Sequence, residues 1–276
     1  MMKKISSILF VLILMTVSST SCEKDEPVNP DKPQTETFTV NGVLFKMVAI
    51  EGGTFTMGVT ADDDFYWEQP AHEVTLSSYC IGQTEVTQAL WQAVMGSNPS
   101  YFSSRNNYAT NLQCPVECVS WNDCQTFITK LNQLTGRTFR LPTEAEWEFA
   151  TRGGNQSQGY KYSGSNNLDD VAWYWFSIPS QTSGNAGYGT QTVATKAPNE
   201  LGLYDMSGNV WEWCQDYWGG SYSSDAQTNP VGPSTGSLRV LRGGCWHYEA
   251  RYCSVLRRRG LVPTNTGYNL GLRLAL

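Results

Sequence analysis

The chain has 276 residues, a net charge of −6 and only two histidines, His72 and His247. An acidic chain whose basic residues are scattered, apart from three arginines at 257–259, is a poor candidate for nucleic-acid binding. We interpret those three arginines as a surface group that is solvated or salt-bridged. Two histidines disfavour a structural zinc site or a hydrolase triad, and the sequence has no glycine-rich phosphate loop followed by lysine.

The N-terminus has the pattern of an export signal. Two lysines precede an apolar run at 8–17, and small residues then lead to Cys22. The run is too short for a membrane-spanning helix, which needs roughly 20 residues. We therefore expect residues 1–21 to be a lipoprotein signal peptide and Cys22 to be acylated, as after a bacterial lipobox. Ordinary cleavage near Ser21 is the alternative.

Residues 22–37 are expected to form a disordered tether behind the acylated cysteine. From residue 23 onwards this segment has no aromatic residue and only one aliphatic residue, Val28. Such a composition cannot bury enough apolar surface to become ordered. Its acidic start resembles the surface-export signals of Bacteroidota lipoproteins. The expected location is therefore the periplasmic or cell-surface face of the outer membrane, and residues 38–276 are expected to form one large domain.

The first predicted elements of this domain are short strands and two helices. Strands are expected at 45–50 and 74–76, and a helix is expected at 87–95. The clearest helical periodicity, with apolar residues three and four apart, covers 122–134. Ser120 or Asn122 can cap the start of this helix, and Gly136 lies just beyond its end.

A third helix is expected to start at Thr143, because Glu146 lies at the capping-box distance from it. Glu144, Glu146 and Glu148 do not all share one face of that helix, and we interpret them as helix-start charge in contact with solvent. Regular structure is hard to find in residues 155–198, and one more strand is expected at 239–242. Together these elements predict a mixed α+β domain with long loops.

Four blocks of sequence, in this order, resemble the formylglycine-generating enzyme (sulfatase-modifying factor) family. The blocks are MVAIEGGTFTMG at 47–58, FRLPTEAEWEFATRGG at 139–154, NELGLYDMSGNVWEWCQDYW at 199–218 and RVLRGGCWHYEARYC at 239–253. The resemblance covers nearly all of the expected domain. It implies an α+β, C-type-lectin-like fold with short strands and helices and extensive irregular loops.

The resemblance also implies a calcium site in the third block. Its ligands would come from Asp205, Gly208, Val210 and Glu212. Two carboxylates and two backbone carbonyls are hard oxygen donors of the kind that Ca²⁺ prefers.

The chemistry that the resemblance implies depends on the last block. Enzymes of the family oxidise a cysteine of a sulfatase polypeptide to formylglycine with O₂ and Cu(I), which is held by two thiolates five residues apart. The second thiolate corresponds to Cys253, but the first corresponds to Tyr248. The family's next histidine corresponds to Glu249, and His247 comes one position too early to restore the pattern.

Cys245 offers one way around the missing thiolate. It occupies the position of a family active-site serine, and with Cys253 it could form a copper pair or a disulfide. Both could equally be inert buried thiols. The cysteines after Cys22 number seven, so at least one stays unpaired or binds something else. Trp211 and Asn269 match two further active-site positions.

Three functions remain open at this point. The first is a formylglycine-generating oxidase that acts on sulfatase polypeptides. The second is another reaction on the same scaffold, as in the related sulfoxide synthases, whose iron site needs a histidine-rich domain that this chain lacks. The third is a non-catalytic envelope protein that binds an unknown protein or glycan partner. We favour the third because Tyr248 interrupts the thiolate pair.

Overall fold

The computed structural model describes residues 33–60, 63–106, 108 and 111–276. The expected signal peptide and Cys22 lie outside the described residues. The first strand, β1 (Thr35–Val40), pairs antiparallel with β2 (Val43–Ile50), so that Phe38 faces Phe45 across the ladder. The folded chain therefore starts before the boundary expected at residue 38, because alternating threonines extend the strand pattern towards the N-terminus.

The remaining elements are short, and most strands lie in the first and last thirds of the chain. The other strands are β3 (Gly53–Met57), β4 (His72–Leu76), β5 (Tyr79–Gly82), β6 (Trp211–Tyr217), β7 (Gln227–Thr228), β8 (Arg239–Arg242), β9 (Arg258–Leu261) and β10 (Leu270–Gly271). The α-helices are α1 (Gln88–Met95), α2 (Trp121–Thr135), α3 (Glu144–Thr151) and α4 (Leu168–Val171). Short 3-10 helices cover Asp63–Glu68, Ser104–Asn106, Gly154–Gln156 and Ala250–Cys253. This mixed architecture confirms the predicted fold class.

Side-chain caps fix both ends of the best-predicted helix. At the start of α2 the Ser120 hydroxyl accepts a hydrogen bond from the backbone N–H of Asp123, whose carboxylate in turn bonds the backbone N–H of Ser120. Gly136 ends the helix with φ = 67°, a left-handed conformation that glycine adopts without strain. Helix α3 has the expected capping box between Thr143 and Glu146.

Three small sheets carry the core. Their strand orders are β1-β2-β5, β3-β4-β7 and β10-β6-β8-β9. In the last sheet β10 runs parallel to β6 and places Leu270 opposite Trp211. Five tryptophans are at most 3% exposed and supply much of the apolar burial that the short elements cannot: Trp91, Trp147, Trp211, Trp213 and Trp246. Residues 32–276 make a compact unit of their own.

The glutamates of α3 correct one sequence interpretation, because all three are buried and none is solvated. Each pairs with an arginine: Glu144 with Arg258 (2.6 Å), Glu146 with Arg140 (2.6 Å) and Glu148 with Arg242 (2.5 Å). Buried carboxylates need such partners because desolvating an unpaired charge is costly. The helix is therefore held to strands β8 and β9 by ion pairs as well as by apolar packing.

The loops behave as the sequence predicts. Between residues 157 and 198 the only helix or strand in the structure is the four-residue α4. Among the described residues, no helix combines the length and the apolar character that crossing a membrane requires.

Candidate functional site

A tight turn brings the two candidate copper-ligand cysteines together. Gly244 has φ = 75°, and a Cβ at this position would lie 2.5 Å from the carbonyl oxygen of Tyr252 and 2.9 Å from the Sγ of Cys253. Only glycine lets the turn approach the 3-10 helix so closely. The next residue, Cys245, donates its backbone N–H to the Cys253 sulfur. The structure thus places the two cysteines side by side, as the sequence argument requires.

The thiol of Cys245 is fully buried, and its Sγ lies 3.4 Å from the Nδ2 of Asn269. The backbone N–H of Tyr248 donates to the carbonyl oxygen of Cys245 at 3.1 Å. Burial outweighs the hydrogen bond from Asn269 and raises the pKa of Cys245 to about 12. At neutral pH the side chain is therefore a thiol and not a thiolate.

Cys253 is equally buried and packs against the apolar side chains of α4, Leu168 and Val171. Burial raises the pKa of its thiol well above the ordinary value, and the neighbouring Cys245 raises the pKa further. All seven cysteines in the described part of the chain are unpaired thiols. Without a bound cation, burial thus favours the thiol form of both side chains, which is the poor nucleophile.

Tyr248 occupies the position of the missing thiolate. Its hydroxyl accepts a hydrogen bond from the Nη1 of Arg259 at 3.0 Å. Its ring lies 6.1 Å from that of Trp211 and 4.9 Å from that of Tyr252, measured between centroids. The phenol is therefore built into an aromatic wall and is already bonded to a cation.

The two residues that flank Tyr248 do not join the thiols in any described contact. Glu249 is exposed and lies 3.5 Å from Arg251, its ion-pair partner. His247 packs against the rings of Trp175 and Trp246 at 5.2 and 4.9 Å, and burial lowers the pKa of its imidazole.

The pairing of β6 with β10 positions the two remaining candidates. The backbone N–H of Trp211 donates to the carbonyl of Asn269 at 2.8 Å, while the Asn269 side chain reaches Cys245. Trp211 is only 1% exposed, and its indole N–H has no acceptor among the described residues. Cys245, Cys253, Trp211, Asn269 and Tyr248 therefore form one site.

An open cleft of about 480 Å³ lies beside this site. We name it the aromatic–arginine cleft, and its lining residues are Trp67, Trp211, Trp218, Tyr248, Tyr252, Arg257, Arg258, Arg259 and Gly260. Five of the nine are aromatic, three are arginines and none is acidic. Its size is in the range of small-molecule binding sites.

The three arginines of the cleft differ in their partners. Arg258, in β9, is buried and ion-paired with Glu144, and Arg257 lies 3.6 Å from Glu68. Arg259 is exposed, and no carboxylate within the described residues pairs with it. The interpretation of this run as salt-bridged thus holds for two arginines, while the third presents its charge to the cleft.

The predicted calcium ligands lie in the turn before β6. Asp205 has φ = 58° and is buried; its Oδ2 accepts from the backbone N–H of Ala194 at 2.7 Å, whereas its Oδ1 has no partner in the described structure. Burial raises the pKa of Asp205 to about 6. Gly208 has φ = 90°, and Val210 donates its backbone N–H to the Oε1 of Glu85 at 3.2 Å.

Glu212, the fourth predicted ligand, is already bonded. Its carboxylate accepts from Arg273 at 2.8 Å and from the indole N–H of Trp147 at 2.7 Å. All three side chains are completely buried. The Glu212 carboxylate is therefore neutralised within the protein.

Glu85 also belongs to this region, although no sequence motif indicates it. It is buried, and its pKa is raised well above the ordinary value by burial and by the charges of Asp205 and Glu212. Three buried carboxylates thus share a single nearby cation, Arg273. Among the described residues, however, no three His, Cys, Asp or Glu side chains are arranged as a metal-binding cluster. Glu85 lies 120 residues before Asp205, so no local spacing signals this association.

Comparison with known proteins agrees with the fold. The model of the Sulfatase-modifying factor enzyme 1-like domain matches residues 32–276. The chain belongs to this sulfatase-modifying factor family.

Three similar proteins illustrate the range of similarity. The chain is 34% identical over 270 residues to "Chaperone protein LppX" of Paenibacillus barcinonensis, which covers 83% of this chain and 88% of that protein. It is 31% identical over 294 residues to the formylglycine-generating enzyme of Mus musculus, covering 84% and 75% respectively. Among solved structures, the Treponema denticola variable protein 1 superimposes with a TM-score of 0.76 at 36% identity, covering 88% of this chain and 99% of that one.

Family membership does not by itself decide whether this member is an enzyme. The relatives carry names as different as a chaperone and a formylglycine-generating enzyme. A fold hosts more than one function, so the decision depends on the residues of the site.

Proposed function

We propose that this family member is a binding or assembly protein of the cell envelope and not a formylglycine-generating oxidase. One observation carries the proposal: the position of a family copper ligand is filled by Tyr248, whose hydroxyl is bonded to Arg259 at 3.0 Å.

The chemistry of copper supports this reading. Cu(I) is a soft ion that selects thiolate and thioether ligands, whereas a phenol offers a hard oxygen. With tyrosine at position 248, Cys253 is the single sulfur ligand of the pair that the resemblance implies. The residues present therefore do not fit Cu(I) at the family position.

The decisive experiment is a Cu(I) titration of residues 32–276 against a competing chelator. This unit suffices because it contains the whole matched domain and nearly all of the fold shared with the Treponema protein. We expect the wild type to bind no more Cu(I) than Cys253→Ser. Tyr248→Cys, which recreates two thiols five residues apart, is expected to gain binding, and Tyr248→Phe is the matched control that adds no sulfur.

The alternative function, an oxidase that uses Cys245 as its second ligand, has one observation in its favour. The backbone N–H of Cys245 bonds the Cys253 sulfur, so the two thiols are neighbours. Tight binding of one Cu(I) by the wild type, lost in both Cys245→Ser and Cys253→Ser, would establish this alternative. O₂-dependent oxidation of the cysteine in a sulfatase-derived peptide would confirm it and refute the binding proposal.

Calcium is proposed as a structural ion near Asp205. The unpartnered Oδ1 of Asp205 and the excess of buried carboxylates over cations support a bound cation. The fit is partial, because the Glu212 carboxylate is bonded to Arg273 and Trp147. Asp205 with the backbone of Gly208 and Val210 would hold the ion, which would supply charge balance and rigidity.

Export and lipid anchoring are also part of the proposal, and the sequence of residues 1–22 supports them. The expected membrane-facing group is an acylated Cys22. Fatty-acid labelling of the full chain in its native type of host should label the wild type and leave Cys22→Ser unlabelled. Labelling that persists in Cys22→Ser would contradict the anchor.

A further inference from the structure

We propose that the aromatic–arginine cleft binds an acidic sugar, with the anionic group at Arg259 and the sugar ring against the aromatic walls. The inference rests on the proposed binding function and names the class of ligand for that function. It is carried by the charge, the aromatic lining and an unpartnered hydrogen-bond donor of the cleft.

The positive charge of the cleft favours an anionic ligand. Its lining contains three arginines and no acidic residue, although the chain as a whole has a net charge of −6. Glu144 and Glu68 lie behind the lining and pair with Arg258 and Arg257. Arg259 remains as the cation without a described carboxylate, and its described hydrogen bond goes to the phenol of Tyr248. A guanidinium in this state recognises oxyanions through charge-assisted hydrogen bonds.

The aromatic walls of the cleft favour a ligand that contains a sugar ring. Trp67 is 46% exposed, with its ring 6.0 Å from that of Trp218, and Tyr252 forms another part of the lining. Aromatic faces carry negative partial charge, so they attract the C–H groups on the flat face of a sugar. The carboxylate of an aspartate or glutamate in a polypeptide sits on a short aliphatic stem and would leave these walls uncovered. The lining therefore favours an acidic sugar over an acidic peptide.

A second, independent observation comes from the floor of the cleft. Trp211 lines the cleft and is only 1% exposed. Its indole N–H has no acceptor in the described structure. An unsatisfied buried donor is unfavourable, and native structures rarely keep one without a reason. A hydroxyl or carboxylate oxygen of a bound sugar would provide the missing acceptor beside Tyr248.

The test uses four small probes that share one ring and differ in charge. D-glucuronate, glucose 6-sulfate and glucose 6-phosphate carry an oxyanion, and D-glucose does not. Saturation-transfer NMR with residues 32–276 detects weak binding, and the quenching of tryptophan fluorescence gives the dissociation constant. The variants are Arg259→Gln, Arg259→Lys and Trp211→Phe. The matched control is Arg137→Gln, which removes an exposed arginine that does not line the cleft.

We expect at least one charged probe to bind and D-glucose to bind at least tenfold more weakly. Arg259→Gln should weaken the charged probe by about ten- to hundredfold, the range expected for the loss of a charge-assisted hydrogen bond. Arg259→Lys should retain part of the binding, and Arg137→Gln should retain all of it. Trp211→Phe should weaken binding several-fold while its circular dichroism stays that of the wild type.

Three results would overturn the inference: no probe binds, D-glucose binds as well as the charged probes, or Arg259→Gln binds like the wild type. If an aspartate-rich peptide binds and none of the four sugars does, the inference is overturned and the ligand is a polypeptide. The proposed function is tested separately, because only copper binding and peptide oxidation refute it. Failure of the sugar probes without oxidase activity would leave the binding proposal standing with a different ligand.

Discussion

Replacing Asp216 by asparagine should change how the stability of the protein depends on pH. Asp216 lies in β6, is 4% exposed and accepts a hydrogen bond from the backbone N–H of Glu144 at 2.9 Å. Burial, and next the charge of Glu144, raise its pKa to about 7. Aspartate in an unfolded chain has a pKa near 3.9. The folded protein therefore binds this proton more tightly than the unfolded chain does.

The direction of the pH dependence follows from this difference in pKa between the folded and unfolded states. Below about pH 4 the carboxyl is protonated in both states, and its full contribution to stability is present. As pH rises to about 7 the unfolded chain releases the proton first, so the folded state loses that contribution. A pKa difference of about three corresponds to roughly 4 kcal/mol in the free energy of unfolding, an upper value for a single group.

Asp216→Asn keeps the shape and the acceptor oxygen but removes the titration. We expect it to unfold with nearly the wild-type free energy at pH 4 and to be more stable than the wild type by about 2–4 kcal/mol at pH 8. Urea unfolding at a series of pH values measures both curves. Other buried carboxyls with raised pKa values, such as Glu85 and Asp205, also titrate, so the informative quantity is the difference between variant and wild type. Asp225→Asn, at an exposed position, is the matched control. Parallel curves for Asp216→Asn and wild type would refute the reasoning.

Three further changes test the region around the predicted calcium ligands. Gly208→Ala should destabilise the fold by about 1–3 kcal/mol, because the residue has φ = 90° and a Cβ would lie 2.3 Å from the Trp173 carbonyl oxygen. Urea unfolding measures this loss of stability, and an unchanged free energy of unfolding would contradict the prediction. In the same assay Arg273→Met should lower the free energy of unfolding by about 3–5 kcal/mol, because it leaves Glu212 buried without its cation. A decrease below 1 kcal/mol, roughly that of an exposed ion pair, would contradict the effect of burial. Calcium added after chelation should raise the melting temperature of the wild type and not that of Asp205→Asn; an equal rise in both would place the ion elsewhere.

The sequence predicts the helices well because their signals are local. Ser120, Thr143 and Gly136 act through bonds within three or four residues, so caps and apolar periodicity suffice to find α2 and α3. The sheets are different. The pairing of Trp211 with Leu270 joins residues 59 positions apart in the chain, and nothing in either strand alone names its partner.

The charged residues show the same limit. The position of Glu144 and Glu148, four apart on α3, identifies a shared face but not what covers it. The covering cations, Arg258 and Arg242, come from 114 and 94 residues further along the chain. Without them a run of glutamates at a helix start looks solvated. Burial of a charge becomes predictable only when its partner is known.

The candidate site depends on local signals and on long-range contacts. For this reason the sequence alone does not reveal the cleft. A comparison of spacing with the family finds Tyr248 in the place of a thiolate, because that comparison is local. It assigns no role to Arg259, since the hydrogen bond between the two residues depends on how β9 returns beside the turn. In the structure Tyr248, which the resemblance aligns with a copper-ligand cysteine, accepts a hydrogen bond from the guanidinium of Arg259. A tyrosine at this position offers no soft metal ligand, and its phenol bonds the guanidinium of Arg259, which lines the cleft. For this reason Tyr248→Phe should leave Cu(I) binding unchanged yet weaken the binding of charged sugars, and a variant that alters neither would separate the phenol from the function of the cleft.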